Sequence, residues 1–398
     1  RARGTKDVVE AVKYARKHGL AFAVKGGGHT PANLGLADGG MTLDLSLMRG
    51  VAVDPVARTA VVDGGSLLGD IDRETALYNL CVPLGHAPVT GMGLALGGGV
   101  GIAARMLGPT CDHIVGATVV AADGQVHTLS ASGGSGEGAH AGDSKGARAG
   151  EGKGAGEGGV GDQELLWGLR GAGAALGVVT KLVFRLEDIS GNVGGYFVWP
   201  DDPSHATFKA VARWMCDVGY DLPGFGCNLS WSNQPKEAGG PVLMSQVAFL
   251  GSPATVESRM AALQPLRDLK PVIDNVRPGG YLDAQFAMMN FLKAAPPHFE
   301  VWATGNMPRA SLTPAALDAL TAALIDGHPP PHVCPGSAVV FDLWGKKLLG
   351  SSSPVALAAG RAELSWLALT GWTDPAHAPA AAAYSLAVRS AVGAAAHG

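Results

Sequence analysis

An α+β fold is predicted for this chain, and three observations predict it. Up to Leu186, short strand-like runs and helical runs follow one another, punctuated by glycine-rich loops. From about Gly191 the texture changes: Trp and Phe become common, the glycine loops stop, and strands mixed with helices suggest one antiparallel sheet with helices on a face. The length of 398 residues, 47 % of them apolar, is ample for a buried core and suggests two domains.

The elements follow in order. Thr5 is the expected N-cap of a helix whose Val8, Ala11, Val12 and Ala15 fall at helical spacing, with Gly19 ending it. Leu20–Val24 reads as a short buried strand. Met41–Leu45 and Arg58–Asp63 are strand-like, and Ser66 is the expected cap of a helix running to about Asn79. Val115–Ala122 and Gln125–Leu129 read as a hairpin closed by the two residues Asp123 and Gly124. Residues 131–162 are Gly, Ala, Ser and scattered charges; such a segment has nothing to bury and is expected to be a flexible insertion. Val178–Leu186 reads as a strand. Beyond it, helices are expected at Phe208–Val218, Pro253–Leu269 and Pro314–Ile325. Strands are expected at Gly195–Trp199, Val242–Leu250, Val301–Thr304 and Ala338–Leu343.

Composition excludes some functions. Charged residues are only 16 %, the net charge is −4, and no Lys/Arg cluster stands out, so nucleic-acid binding has no electrostatic footprint. The five Cys are scattered and form no CxxC pair, so neither a zinc site nor a thiol redox motif is indicated; a disulfide cannot be assigned from spacing. No apolar run reaches the length of a membrane-spanning helix. No metal site is expected.

Glycine is the informative residue, at 59 of 398. Outside the insertion it clusters in stretches with chemical potential. Val24-Lys25-Gly26-Gly27-Gly28-His29-Thr30 follows a strand and leaves backbone N–H groups unshielded, as a pyrophosphate nest requires. A tight turn with a surface His is the plainer reading of that motif alone. The loop opens no G-x-G-x-x-G helix, so it is not a Rossmann fingerprint. Gly85 to Gly101 permits close backbone approach to a flat or anionic ligand, or is a bent, closely packed loop; no Gly-Lys-Ser/Thr follows, which excludes a Walker A loop. Leu165-Leu166-Trp167-Gly168-Leu169-Arg170-Gly171 leads through Gly177 into a strand, and is by itself a core turn.

The ordered set resembles the FAD domain of the berberine bridge enzyme-like family, within the vanillyl-alcohol oxidase and para-cresol methylhydroxylase (PCMH) superfamily. The pieces are GGGH at 26–29, DGG at 38–40, LDLS at 43–46, VDGG at 62–65 and VPLG at 82–85. Thr90 to Gly101, Asp112, VVAADG at 119–124, LLWGLRG at 165–171 and GVVTKLVFRL at 177–186 complete it. More faintly, Tyr281-Leu282-Asp283-Ala284-Gln285 and Trp372-Thr373-Asp374-Pro375 are similar to substrate-domain segments.

The resemblance implies a PCMH-type FAD-binding domain of two α/β subdomains at 1–188, then a substrate domain at 189–398 with an antiparallel sheet backed by helices. It implies FAD bonded covalently through His29, and Gly26, Gly27, Gly28, Thr30, Gly91, Gly98, Gly101, Asp112 and Val178 around the dinucleotide. Some family members add a second link from a Cys before the Pro at position 88. Here Ala87 stands there and Cys81 is too far, so a single link is expected. The implied reaction takes hydride from a C–H next to an alcohol or amine to the flavin N5, with a base removing the proton. Tyr281, Gln285 and His86 are the candidate catalytic residues. A small-molecule substrate and an electron acceptor, oxygen or another, are the implied partners.

This chain also departs from the pattern. Gly173-Ala174-Ala175-Leu176 replaces the usual Gly-Gly-Asn-Phe before Gly177. The chain is expected to be a fragment, lacking a first FAD-domain strand and a C-terminal return to that domain. Two further readings stand beside the enzyme: a non-catalytic flavin-binding relic, and an α/β protein whose glycine loops only turn the chain.

Overall fold

A computed structural model describes residues 1–30, 32–131, 160–233, 240–251, 255–292, 299–334, 337–345, 347, 350 and 363–397. Two antiparallel sheets organise it. The first is built from β3 (Val51–Asp54), β4 (Thr59–Asp63), β5 (Ile114–Val120), β6 (Val126–Ser130) and β7 (Val178–Arg185), in the order β3-β4-β7-β5-β6. Beside it a small parallel pair, β1 (Phe22–Lys25) and β2 (Met41–Asp44), packs with α1 (Thr5–His18). Helix α2 (Leu68–Ala76) and α3 (Val160–Ala172) complete this half.

The second sheet has eight strands. Its central strands are β8 (Val193–Pro200), β9 (Phe225–Ser232) and β10 (Val242–Phe249). The short β11 (Ile273–Asp274) and β12 (Arg277–Pro278) pair with β8 at one edge. At the other side lie β13 (Phe299–Met307), β14 (Ala338–Leu343) and β15 (Leu364–Trp372). The order is β11-β8-β10-β9-β14-β15-β13. One face carries Phe197, Trp199, Leu229, Trp231, Val339 and Phe341 into the largest apolar core, which also takes residues from the helices at 206–217, 314–321 and 378–397. The opposite face turns toward the first half of the chain. Helix α4 (Tyr281–Leu292) lies there, with Tyr281 and Ala284 packed against Ile102, Ala103 and Ala248.

Several local expectations are corrected. Gly4, not Thr5, caps α1, because the Thr5 hydroxyl donates to Thr180 Oγ1 at 3.1 Å. Ser66 does not cap α2: its hydroxyl donates to the Gly50 carbonyl, while the Asp70 carboxylate accepts from the Leu67 N–H at 2.9 Å. The β5–β6 turn has three residues rather than two, since the Ala121 N–H bonds the Gln125 carbonyl and Gly124 takes a φ of +81°. The helix expected at 253–269 is two, Val256–Ala262 and Gln264–Asp268, because Pro265 at the start of the second lacks an N–H to continue the first; residues 253 and 254 lie outside the described residues. The insertion ends earlier than expected, since α3 begins at Val160; its residues 132–159 lie outside the described ones. β9, β15, α4 and the Ala-rich helix Ala378–His397 were not anticipated. All five cysteines are buried, and none is in a disulfide.

A histidine ties the second sheet to its helices. His205 Nδ1 lies 3.0 Å from both Asp201 carboxylate oxygens, and Nε2 lies 3.0 Å from Asp326 Oδ1. Burial disfavours the His205 cation, but the two carboxylates together raise its pKa above 6.5. A raised cation pKa stabilises the fold fully below the ordinary value, and the contribution is lost as pH rises through the raised one. His205→Gln is therefore expected to lower the unfolding temperature at about pH 5 and to close the gap by about pH 9. Thermal unfolding across that range tests it; an equal loss at both ends contradicts it.

Candidate active site

The loop after β1 carries Gly26-Gly27-Gly28-His29. It abuts the second glycine-rich loop so closely that side chains are excluded. A Cβ on Gly27 would stand 2.4 Å from the Gly91 nitrogen and 2.8 Å from the Val89 oxygen. A Cβ on Gly91 would stand 2.2 Å from the Gly27 nitrogen. Gly28 has a φ of +71°, a left-handed conformation that favours glycine, and turns the chain so that the His29 side chain is exposed. Thr30 is half-buried.

A cleft of about 1090 Å³ opens alongside. Gly26, Gly64, Gly93, Gly177, Met92 and Val178 are among the residues lining it. Its volume lies just above the usual range for small-molecule sites, ~300–1000 Å³, as a dinucleotide needs. Four glycines in the lining leave backbone close to any occupant, and the apolar walls suit a flat ring. The residues present therefore fit FAD.

Of the cofactor positions expected from sequence, Gly26 and Val178 line this cleft. Gly27 and Gly91 are the backbone-to-backbone pair just described. Gly98, with a φ of +114°, accepts from the Cys111 N–H, which brings it beside Asp112. Gly101 is held by packing, since a Cβ there would stand 1.8 Å from the Leu84 oxygen. Ala174, Ala175 and Leu176, the departing stretch, line the cleft too.

Tyr281 and Gln285 are both buried at the seam between the two sheets. Gln285 Nε2 donates to the Gly85 carbonyl at 2.8 Å and the Leu84 carbonyl at 3.2 Å, and lies 3.4 Å from Asp72 Oδ2. Burial pushes the Asp72 carboxyl up to about 8, against the weaker pull of Gln285 and Arg73. The Tyr281 hydroxyl sits by the Cys81 thiol, and burial raises its pKa. Gln285 clamps helix α4 onto the loop that holds His86, while Tyr281 packs against Ile102 and Ala103. Neither is among the residues that line the cleft, and the same holds for His86.

His86 faces a different group. Its Nε2 lies 3.8 Å from Asp342 Oδ1 on β14. Asp342 belongs to a row running across the sheet in register: Tyr196, Gln246, Asn228, Asp342, Ser365 and Asn306. Gln246 and Asn228 are fully buried, Asp342 and Ser365 half-buried, and Asn306 exposed. The row thus climbs from the core to solvent, with the carboxyl at its middle. Burial raises the Asp342 pKa, opposed by His86 and by a hydrogen bond from Asn228. Burial lowers the His86 pKa, opposed by Asp342.

Comparison with known proteins shows what the chain is similar to. Residues 1–130 match the model of an FAD binding domain. An FAD-linked oxidoreductase of Dictyostelium discoideum is 31 % identical over 288 residues, covering 69 % of this chain and 55 % of that protein. The (R)-6-hydroxynicotine oxidase of Paenarthrobacter nicotinovorans is 33 % identical over 195 residues, 48 % of this chain and 36 % of the enzyme. The chain thus shares an FAD binding domain with FAD-linked oxidoreductases, to which it is similar. Its fold is that of the berberine bridge enzyme-like proteins: the structure of one from Physcomitrella patens superposes with a TM-score of 0.75 at 20 % identity, covering 100 % of this chain and 80 % of that one. The chain spans about half the length of the first curated relative and about a third of the second.

Sequence reasoning missed Asp342. It is one aspartate in a strand of apolar neighbours, and only the strand order brings it to His86, far away in sequence. The visible signal is that the strand Ala338–Leu343 is otherwise apolar, so its one carboxyl must be satisfied or functional. Among the described residues, no group of three or more His, Cys, Asp or Glu side chains is arranged to hold a metal ion, and no helix is long and apolar enough to cross a membrane.

Proposed function

We propose that the chain oxidises a small molecule at a C–H bond next to an alcohol or amine, with residues 1–188 binding FAD and residues 189–398 binding the substrate. The observation that carries this is the half-buried Asp342 carboxyl on the sheet face, set against His86 of the glycine-rich loop. FAD, when bound, supplies the two-electron acceptor.

The chain's own residues supply the rest. Gly26 and Val178 border the dinucleotide cleft, and Gly27, Gly28 and Gly91 shape the loops beside it. His29 is the tether to FAD: it stands exposed at the end of a loop whose path is fixed by backbone packing. The link is single, since Ala87 has no nucleophile and Cys81 is buried against Tyr281 with its thiol held protonated by burial. Asp342 takes the proton from the substrate oxygen or nitrogen. A raised pKa suits that task, since a base works best with a pKa near the working pH. His86, kept neutral by burial, leaves Asp342 basic where a fixed cation would weaken it. Gln285 holds the loop, and Tyr281 packs at the seam. Electrons then pass to oxygen or another acceptor.

A relic that binds flavin without turnover is the second reading, favoured by the altered 173–176 stretch in the cleft wall. The flavin-loaded protein, mixed without oxygen with a panel of alcohols, sugars and amines, separates the two. Bleaching of the flavin's visible absorbance by one member supports the enzyme. Retained colour with every member supports the relic.

A further inference from the structure

The polar row contains a directional relay, and its polarity is set by a group that can only accept. Gln246 Nε2 donates to the backbone carbonyl of Ala284 in α4, at 2.6 Å. That fixes the Gln246 amide with its oxygen turned away from the helix. The Gln246 oxygen accepts from Asn228 Nδ2. Asn228 is fixed a second time, because its Oδ1 accepts from the Gln246 backbone N–H at 3.2 Å. The Asn228 amide therefore points its two N–H bonds away from its own oxygen: one meets Gln246, and the other is left for the side of the strand where Asp342, its register partner on β14, stands. Flipping either amide would set oxygen against oxygen at a buried contact, so the chain of bonds has one workable sense.

We propose that Gln246 and Asn228 are positioning residues that hold the Asp342 carboxyl as an acceptor facing the His86 loop. The proposal rests on Asp342 as proton acceptor and extends it. Donation from Asn228 favours the carboxylate and opposes the effect of burial, so the relay keeps a half-buried acid able to ionise. It also occupies the side of the carboxyl toward Asn228 and leaves the remaining lone pairs for the incoming proton. The titratable groups around Asp342 are His86 on the loop, whose Nε2 lies 3.8 Å away, and Cys227 on the neighbouring strand, whose thiol burial keeps protonated and therefore uncharged. The anchor at Ala284 also makes the orientation depend on where α4 sits, and Gln285, the next residue, binds the Leu84 and Gly85 carbonyls beside His86. Both faces of the Asp342–His86 contact are thus fixed by adjacent residues of one helix.

The test reads Asp342 directly. The infrared carbonyl band of its protonated carboxyl is isolated by subtracting the spectrum of the matching Asp342→Asn protein, and followed through a pH titration. Asn228→Ala removes the donor and is expected to move the midpoint upward. Asn228→Asp keeps the volume but replaces the donor by a second acid, and is expected to move it further. Gln246→Met frees the Asn228 amide and is expected to give the smallest upward shift. Ser230→Ala disturbs the same strand through the Ser230–Met244 contact without touching the relay, and is expected to leave the midpoint in place. Midpoints of the Asn228 and Gln246 variants that coincide with the parent, or a Ser230→Ala shift of equal size, would overturn the proposal. Turnover is read separately: a relay seen in the titration while Asp342→Asn turns over at the parent rate would keep the positioning and remove the proton-acceptor role.

Discussion

Asp342→Asn is expected to lower turnover by about 10²–10⁴-fold, the usual loss on removing a general base. The amide keeps the shape and volume of the side chain and leaves Asn228 an oxygen to donate to, so the fold and the flavin content should persist. What disappears is the capacity to take a proton. The pH profile should change with it. Burial holds the Asp342 acid above the ordinary carboxylate range, so parent activity should rise with pH as the carboxylate forms. The variant should lose that limb and be flat there. KM should move little, because the proton is taken in the transition state rather than in binding. Steady-state rates with a substrate found by the bleaching panel check this. A variant within a few-fold of the parent, with the limb intact, would place the base elsewhere.

Gly27→Ala should have the largest effect on the folded state. Its Cβ would meet three backbone atoms of the facing loop, at Val89, Thr90 and Gly91, within 2.9 Å. Backbone in a loop that itself packs against Gly27 has nowhere to go, so the loops must part. Overpacking of this kind costs about 1–3 kcal/mol, several degrees of unfolding temperature, and should displace His29 and lower flavin content. Gly26→Ala is the informative partner. Nothing of the protein lies closer than 3.9 Å to its Cβ, yet the residue lines the cleft. It should leave the unfolding temperature of flavin-free protein unchanged while weakening FAD binding. Calorimetry with and without FAD separates the two glycines. Equal behaviour of both would mean that the close approach at Gly27 is not what holds the loops.

The flavin side was the more legible half of the molecule, for a physical reason. Its determinants are local: a strand must stop where Gly26 to Gly28 begins, and glycine is needed where backbones touch, as at Gly27, Gly91 and Gly101. Such constraints write themselves into a few consecutive residues. The cap at Ser66 was misread because several polar side chains compete there and Asp70 wins the Leu67 N–H. The facing sheet is different. Gln246, Asn228 and Asp342 are brought together by the order β10-β9-β14, which the chain visits out of sequence and which no short motif records. Each residue alone is one polar side chain in an apolar strand. Tyr281 and Gln285 were singled out as catalytic candidates, but their place is the seam, where Gln285 secures the loop before His86. His86 was noted without its partner, since Asp342 comes from the far end of the chain.

The central claim is that the protein carries FAD, tethered at His29. Acid precipitation of the purified protein beside His29→Ala tests it most directly. A pellet that keeps flavin fluorescence in the parent and loses it in His29→Ala is the predicted result. A colourless parent pellet, with all the flavin free in the supernatant, would contradict the tether while leaving the fold and the cleft in place.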